Sequence, residues 1–159
     1  MKAQQSLKGM IVTILGVVGM ILIFALPTSA AEPTPQEQAQ AVAVLTNSER
    51  IEAGVLPVEL DESLCAAAQQ RAKEIAVVPS HTRPDGRMCS TVLDDNKIVY
   101  EVWGENIAGG QTTAEAVHYA WMNSPSHREN ILCANYSKIG VGYYIDPADG
   151  MTYWCTLYI

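Results

Sequence analysis

Positive charge is scarce in this sequence: ten lysines and arginines stand against seventeen acids, for a formal charge of −7. Nothing supplies the basic stripe that phosphate binding needs, which argues against nucleic acid as a partner. Histidine is rarer still, with three copies. No two cysteines form a C-x-x-C pair, which counts against a four-cysteine zinc site. The nucleophile pattern G-x-S-x-G and the zinc-protease pattern H-E-x-x-H are both absent. No internal repeat or low-complexity tract is present.

What is there begins with Lys2 and Lys8, then an uncharged run from Gly9 to Leu26 and the small-residue stretch Thr28-Ser29-Ala30-Ala31. That is the layout of a secretory signal over residues 1–31, cut after Ala31. The alternative is an uncleaved membrane anchor at residues 10–26, because about 17 apolar residues are near the lower limit for a spanning helix. Removing residues 1–31 takes away two lysines and no acid, leaving eight basic residues and a formal charge of −9. A short polar spacer, residues 32–37, leads into one domain over residues 38–159, which is long enough for one real core.

Four cysteines, Cys65, Cys89, Cys133 and Cys155, follow the signal. In an exported chain an even number reads as two disulfides, with three pairings open. Nearest neighbours along the chain favour Cys65 with Cys89 and Cys133 with Cys155, each loop of about 25 residues stabilising the domain by roughly 3 kcal/mol.

Thr34-Pro35-Gln36-Glu37 offers a cap, a first-turn proline and a capping-box glutamate for a helix over residues 35–53. Its expected inner face carries Ala41, Val44, Leu45, Ser48, Ile51 and Glu52. Asp61 caps a second helix, whose stripe holds Leu64, Ala67, Ala68, Arg71, Ala72 and Ile75. Pro84-Asp85-Gly86 marks a turn beside His81. Ser90 to Leu93 and Lys97 to Trp103 lean towards strand, and GENIAGGQ reads as a glycine-rich loop. Thr112-Thr113-Ala114-Glu115 starts a helix over residues 113–123, and Ser124-Pro125 starts another. The tail reads as a hairpin, Lys138 to Tyr144 and Met151 to Tyr158, around Asp146–Gly150. This order implies an α+β fold with an antiparallel sheet.

His81 beside its turn and His127 early in a helix occupy no obvious core position, whereas His118 reads as a polar rim residue. Glu105, next to Gly104, is the acid that could join them, and its alternative role is a buried brace between loops. Two imidazoles and a carboxylate can hold a divalent ion such as zinc or exchange protons. The spacings of 24 and 22 residues mean that only the fold can assemble them.

Taken together, LTNSERIEAGVLPVELDESLCAAAQQRA, SHTRPDGR, GENIAGGQ, AWMNSPSHRENIL, KIGVGYY and YWCTLYI resemble the bacterial members of the CAP superfamily, the cysteine-rich secretory, antigen-five and pathogenesis-related-one group. The resemblance covers roughly residues 38–159. It implies a three-layer α-β-α sandwich with an antiparallel central sheet, and a cleft where two histidines and two acids meet. The histidines match His81 and His127 and the first acid matches Glu105. The second acid's place, three positions after Trp121, is taken by Ser124, which weakens metal binding. Asn106 and Arg128 are expected to brace the site. The family's range implies a secreted, non-catalytic binding module for a lipid, cell-wall or protein ligand, with no cofactor required. The alternative is a metal-assisted hydrolase using His81, Glu105 and His127.

Overall fold

A computed structural model describes residues 33–159; the signal or anchor reading of residues 1–31 lies outside them. The first helix, α1 (Pro35–Glu52), starts as its capping box requires: Thr34 Oγ1 accepts from the Glu37 N–H at 3.2 Å, and the Glu37 carboxylate accepts from the Thr34 N–H at 2.7 Å. A short strand, β1 (Glu59–Leu60), leads to α2 (Glu62–Val77), capped by Asp61, whose side chain accepts from the Leu64 N–H at 2.9 Å. Then come α3 (Thr91–Asp95), β2 (Gly104–Gly109), α4 (Ala114–Met122), α5 (Pro125–Leu132) and the hairpin β3 (Lys138–Ile145) and β4 (Thr152–Tyr158).

The sheet order is β1-β3-β4-β2. The pairs β3–β4 and β4–β2 are antiparallel, and the two-residue β1 joins β3 in parallel. Alternation along the strands divides the core in two. Ile139, Val141 and Tyr143 of β3 and Trp154 and Tyr158 of β4 face α1, α4 and α5. Cys155 and Leu157 face α2 and α3. This is the expected three-layer α+β sandwich.

One glycine pair sets the spacing of a layer. A side-chain carbon on Gly140 would overlap the Leu64 carbonyl, and one on Gly142 would overlap that of Ala68. Two residues apart on β3, both face α2 and let its backbone rest against the strand.

Three sequence expectations change. The buried face of α1 is Gln38, Ala39, Val42, Ala43, Thr46 and Arg50, while Val44 and Ile51 are exposed. A second stripe of small residues ending in an arginine wins, because Arg50 finds four carbonyl acceptors inside: Leu56 at 2.7 Å, Ile131 and Cys133 at 2.8 Å, and Tyr136 at 3.1 Å. Of the two pieces that lean towards strand, Ser90 to Leu93 leads into and forms most of the helical turn α3, with Val92 and Leu93 buried against α2, and Lys97 to Trp103 forms no strand. GENIAG is a strand, because β4 supplies a full antiparallel partner from Gly104↔Tyr158 to Gly109↔Tyr153. Among the described residues no helix is long and apolar enough to cross a membrane.

All four cysteines are free thiols in this structure. The nearest-neighbour pairings do not form, and the layers explain why. Cys133 packs against the α1 side of the sheet, whereas Cys155 is buried on the α2 side. Cys65 lines a groove with Leu60 at the β1 edge, while Cys89 lies beside Glu105 at the opposite, β2 edge.

Candidate functional site

The site forms where the edge strand β2 begins. As neighbours on a strand, Glu105 and Asn106 point to opposite faces: Glu105 towards α2 and Asn106 towards α5. They share no turn, contrary to the reading of GENIAGGQ as a loop. The Glu105 carboxylate is almost completely buried and is held on both oxygens. Arg71 Nε donates to Oε2 at 2.8 Å, Arg71 Nη2 lies 3.4 Å from Oε1, and His81 Nδ1 lies 2.7 Å from Oε1.

Arg71 sits at 0% exposure on the apolar stripe of α2. Burial works against its charge, but hydrogen bonds to Glu105 and Glu74 and the charge of Glu105 raise its pKa overall. From it a chain of ion pairs runs outward. Arg71 Nη1 meets Glu74 at 2.8 Å, Arg83 meets Glu74 at 2.7 Å and Asp95 at 2.6 Å, and Arg87 meets Asp95 at 2.8 Å and Asp85 at 2.7 Å. Arg83 and Arg87 belong to the small hairpin between His81 and Cys89. The hairpin turns at Gly86, with φ +87°, and is closed by a Thr82–Met88 bridge and a Cys89 N–H to His81 carbonyl bond of 3.0 Å. His81 is thus aimed by a rigid loop at a fixed carboxylate, while its side chain stays 56% exposed.

On the other face, Asn106 Nδ2 donates to the His127 carbonyl at 3.1 Å, tying α5 to β2. Asn130, which the sequence reading passed over, donates to the Glu105 carbonyl at 3.1 Å and the Asn106 Oδ1 at 2.9 Å. His127 is half-buried; burial, and then the charge of His81, lower its pKa below 6.5. The charge of His81 thus reaches His127 around the edge strand. Ser124 takes the cap position of α5, but its side chain makes no capping hydrogen bond. Arg128 is exposed on α5, away from the Glu105 carboxylate, beside a concavity with Pro125 and Leu132. His118 is buried, not on a rim, and burial lowers its pKa.

The opening above Glu105 is a concavity of about 280 Å³, lined by His81, Met88, Cys89, Trp103, Glu105 and Asn130. Metal-ligating atoms of His81, Cys89 and Glu105 lie within 4.8 Å of one another, so Cys89 takes the third place that the sequence reading gave to His127. The group fits a cation poorly. Glu105 is already neutralised by the Arg71 guanidinium, His81 Nδ1 is spent on the same carboxylate, and burial followed by the charge of Glu105 pushes the Cys89 thiol up to about 12. The same facts leave no activated nucleophile and no free carboxylate base at the opening.

The model for the cysteine-rich secretory protein family, CAP, matches residues 44–158. The chain is 37% identical over 118 residues to the Bacillus subtilis protein YkwD, covering 73% of this chain and 46% of that one. It is 27% identical over 100 residues to the B. subtilis membrane protein YlbC, covering 62% of this chain and 29% of that one. The chain thus spans less than half the length of these curated relatives. Among solved structures, it is similar to an extracellular protein of Bacillus anthracis that contains an SCP domain, at TM-score 0.69 and 24% identity, over 82% of this chain and 45% of that one. An outer surface protein of Borrelia burgdorferi gives TM-score 0.71 and 21% identity, over 79% of this chain and 94% of that one.

Proposed function

The chain belongs to the cysteine-rich secretory protein family, and from that membership and the geometry at β2 we propose that it is a non-catalytic extracellular binding module. The observation that carries this reading is the Glu105 carboxylate, which is buried and paired with Arg71 on one side and His81 on the other. It acts as a brace that fixes the walls of the cleft. His81, Met88, Trp103 and Asn130 are then the groups that meet a ligand, offering a hydrogen-bonding imidazole and amide beside an apolar wall. His127 flanks them from α5, and Asn106 holds that helix in place. Ser124 keeps a backbone role at the helix start.

The size of the cleft bears on the ligand. At about 280 Å³ it falls at the lower edge of small-molecule pockets, which run roughly 300–1,000 Å³. It suits one ring or side chain of a larger molecule better than an enclosed lipid, so a cell-wall polymer or a protein is the preferred ligand class. Export fits both the signal-like start of the chain and the extracellular and outer-surface descriptions of its structural neighbours.

Sedimentation with isolated cell-wall polymer tests the reading, with lipid vesicles and a cell-surface protein extract as parallel arms. The protein is expected to pellet with the polymer, to release no soluble fragments, and to lose several-fold of its binding in His81→Ala. Release of fragments that stopped in a folded His127→Ala variant would overturn it. The second reading, a metal-assisted hydrolase using His81, Glu105 and His127, draws on the ligand-type cluster but requires a cation to compete with Arg71.

A further inference from the structure

The cleft leaves two buried thiols unused, and each lies near the Glu105 carboxylate. Cys155 on β4 is fully buried, and its Sγ lies 3.7 Å from Glu105 Oε2. Cys89, at the end of the His81 hairpin, is 1% exposed, and its Sγ lies within 4.8 Å of a Glu105 carboxylate oxygen. Both thiols therefore lie against one carboxylate, on the same face of the sheet. The other two cysteines are remote from this point and from each other: Cys65 lines the groove at the β1 edge, and Cys133 packs against the α1 layer.

We propose that Cys89 and Cys155 form a disulfide that staples the His81 hairpin to β4 beneath Glu105, while Cys65 and Cys133 remain thiols. In the folded domain both thiols are buried, so the exchange runs in the folding chain, before Cys89 and Cys155 are covered. There the Cys89 thiolate attacks a disulfide R–S–S–R, forming a mixed disulfide and expelling one R–S⁻. The Cys155 thiolate then attacks the Cys89 sulfur of that mixed disulfide and expels the second R–S⁻. Two protein thiols are oxidised by two electrons, and the small or protein disulfide is reduced to two thiols that take up the two protons. In the cell this rests on the proposed export, because only an oxidising compartment supplies such a reagent.

The bridge has a mechanical consequence. The Cys89 N–H already holds the His81 carbonyl at 3.0 Å, so anchoring Cys89 to a central strand anchors His81 as well. The closed loop runs through α3, β2, α4, α5 and β3, and long loops give the larger entropic stabilisations.

The test does not depend on export. The full chain is unfolded, reduced and refolded in a mixture of oxidised and reduced glutathione, so that burial does not block exchange. Remaining thiols are alkylated, and the unreduced protein is digested for mass spectrometry. The expected result is a mass lower by two hydrogens before alkylation, one peptide pair joining Cys89 to Cys155, and alkyl groups on Cys65 and Cys133. The oxidised form should melt at a higher temperature than the reduced form, with that difference kept in Cys65→Ser and abolished in Cys89→Ser. A bridge between Cys65 and Cys89 or between Cys133 and Cys155, or four alkylated thiols after refolding, would overturn the proposal.

Discussion

Arg50 and Arg71 are both at 0% exposure, yet they do different work. Arg50, under α1, meets backbone carbonyls of Leu56, Ile131, Cys133 and Tyr136, and no carboxylate among its hydrogen bonds. Burial lowers its pKa, because dipoles compensate the lost water only in part. Arg71, under β2, meets two carboxylates and the Ser80 carbonyl. A buried cation satisfied by main-chain dipoles pins loops together and leads nowhere. One satisfied by carboxylates passes its hold outward, here through Glu105 to His81 and through Glu74 to the hairpin that carries His81. The cleft is the surface end of the second arrangement.

The largest effect should separate the two arginines. Arg71→Met leaves Glu105 buried without its cation and is expected to cost about 3–5 kcal/mol in urea unfolding. Adding Glu105→Gln should recover part of that loss, since the stranded charge is then gone. Arg50→Met strands carbonyls only, and its expected cost is about 2–3 kcal/mol, with cleft binding unchanged. Equal costs with no recovery in the double variant would erase the distinction.

Acid should reach the Arg71 side through Glu74. Burial raises its pKa, but hydrogen bonds from Arg83, Arg71 and Gln70 together bring it below the ordinary 4.5. A carboxylate whose folded pKa is depressed contributes stability that is complete above its unfolded value and is lost as the pH falls through the folded one. Unfolding measured from neutral pH down through the region below 4.5 should therefore show a smaller acid-side loss in Glu74→Gln than in the wild type.

A smaller effect probes the two histidines. Since the charge of His81 contributes to the lowered pKa of His127, His81→Ala should raise that pKa towards 6.5, by less than about one unit, in an NMR titration. No movement would place the two rings out of electrostatic reach.

The two regions were unequally legible in the sequence. Local signals carried the caps at Thr34 and Asp61, the turn at Pro84-Asp85-Gly86 and the terminal hairpin, because each is settled within a few residues. Arg71 was visible on the stripe Leu64, Ala67, Ala68, Ala72 and Ile75, and an arginine on an apolar face is itself a pointer to a buried acid. Its partner, 34 positions away on Glu105, was not readable, nor was the strand that holds Glu105, because β4 creates that strand and local propensity does not. On α1, two stripes competed, and the choice depended on carbonyls that only the folded chain presents to Arg50.

Titration calorimetry of zinc into the wild-type protein tests the central claim, that Glu105 belongs to Arg71 and braces a binding cleft. No binding at micromolar zinc is expected. Micromolar binding that disappeared in His81→Ala would contradict it, because the carboxylate would then be serving a metal instead of the arginine.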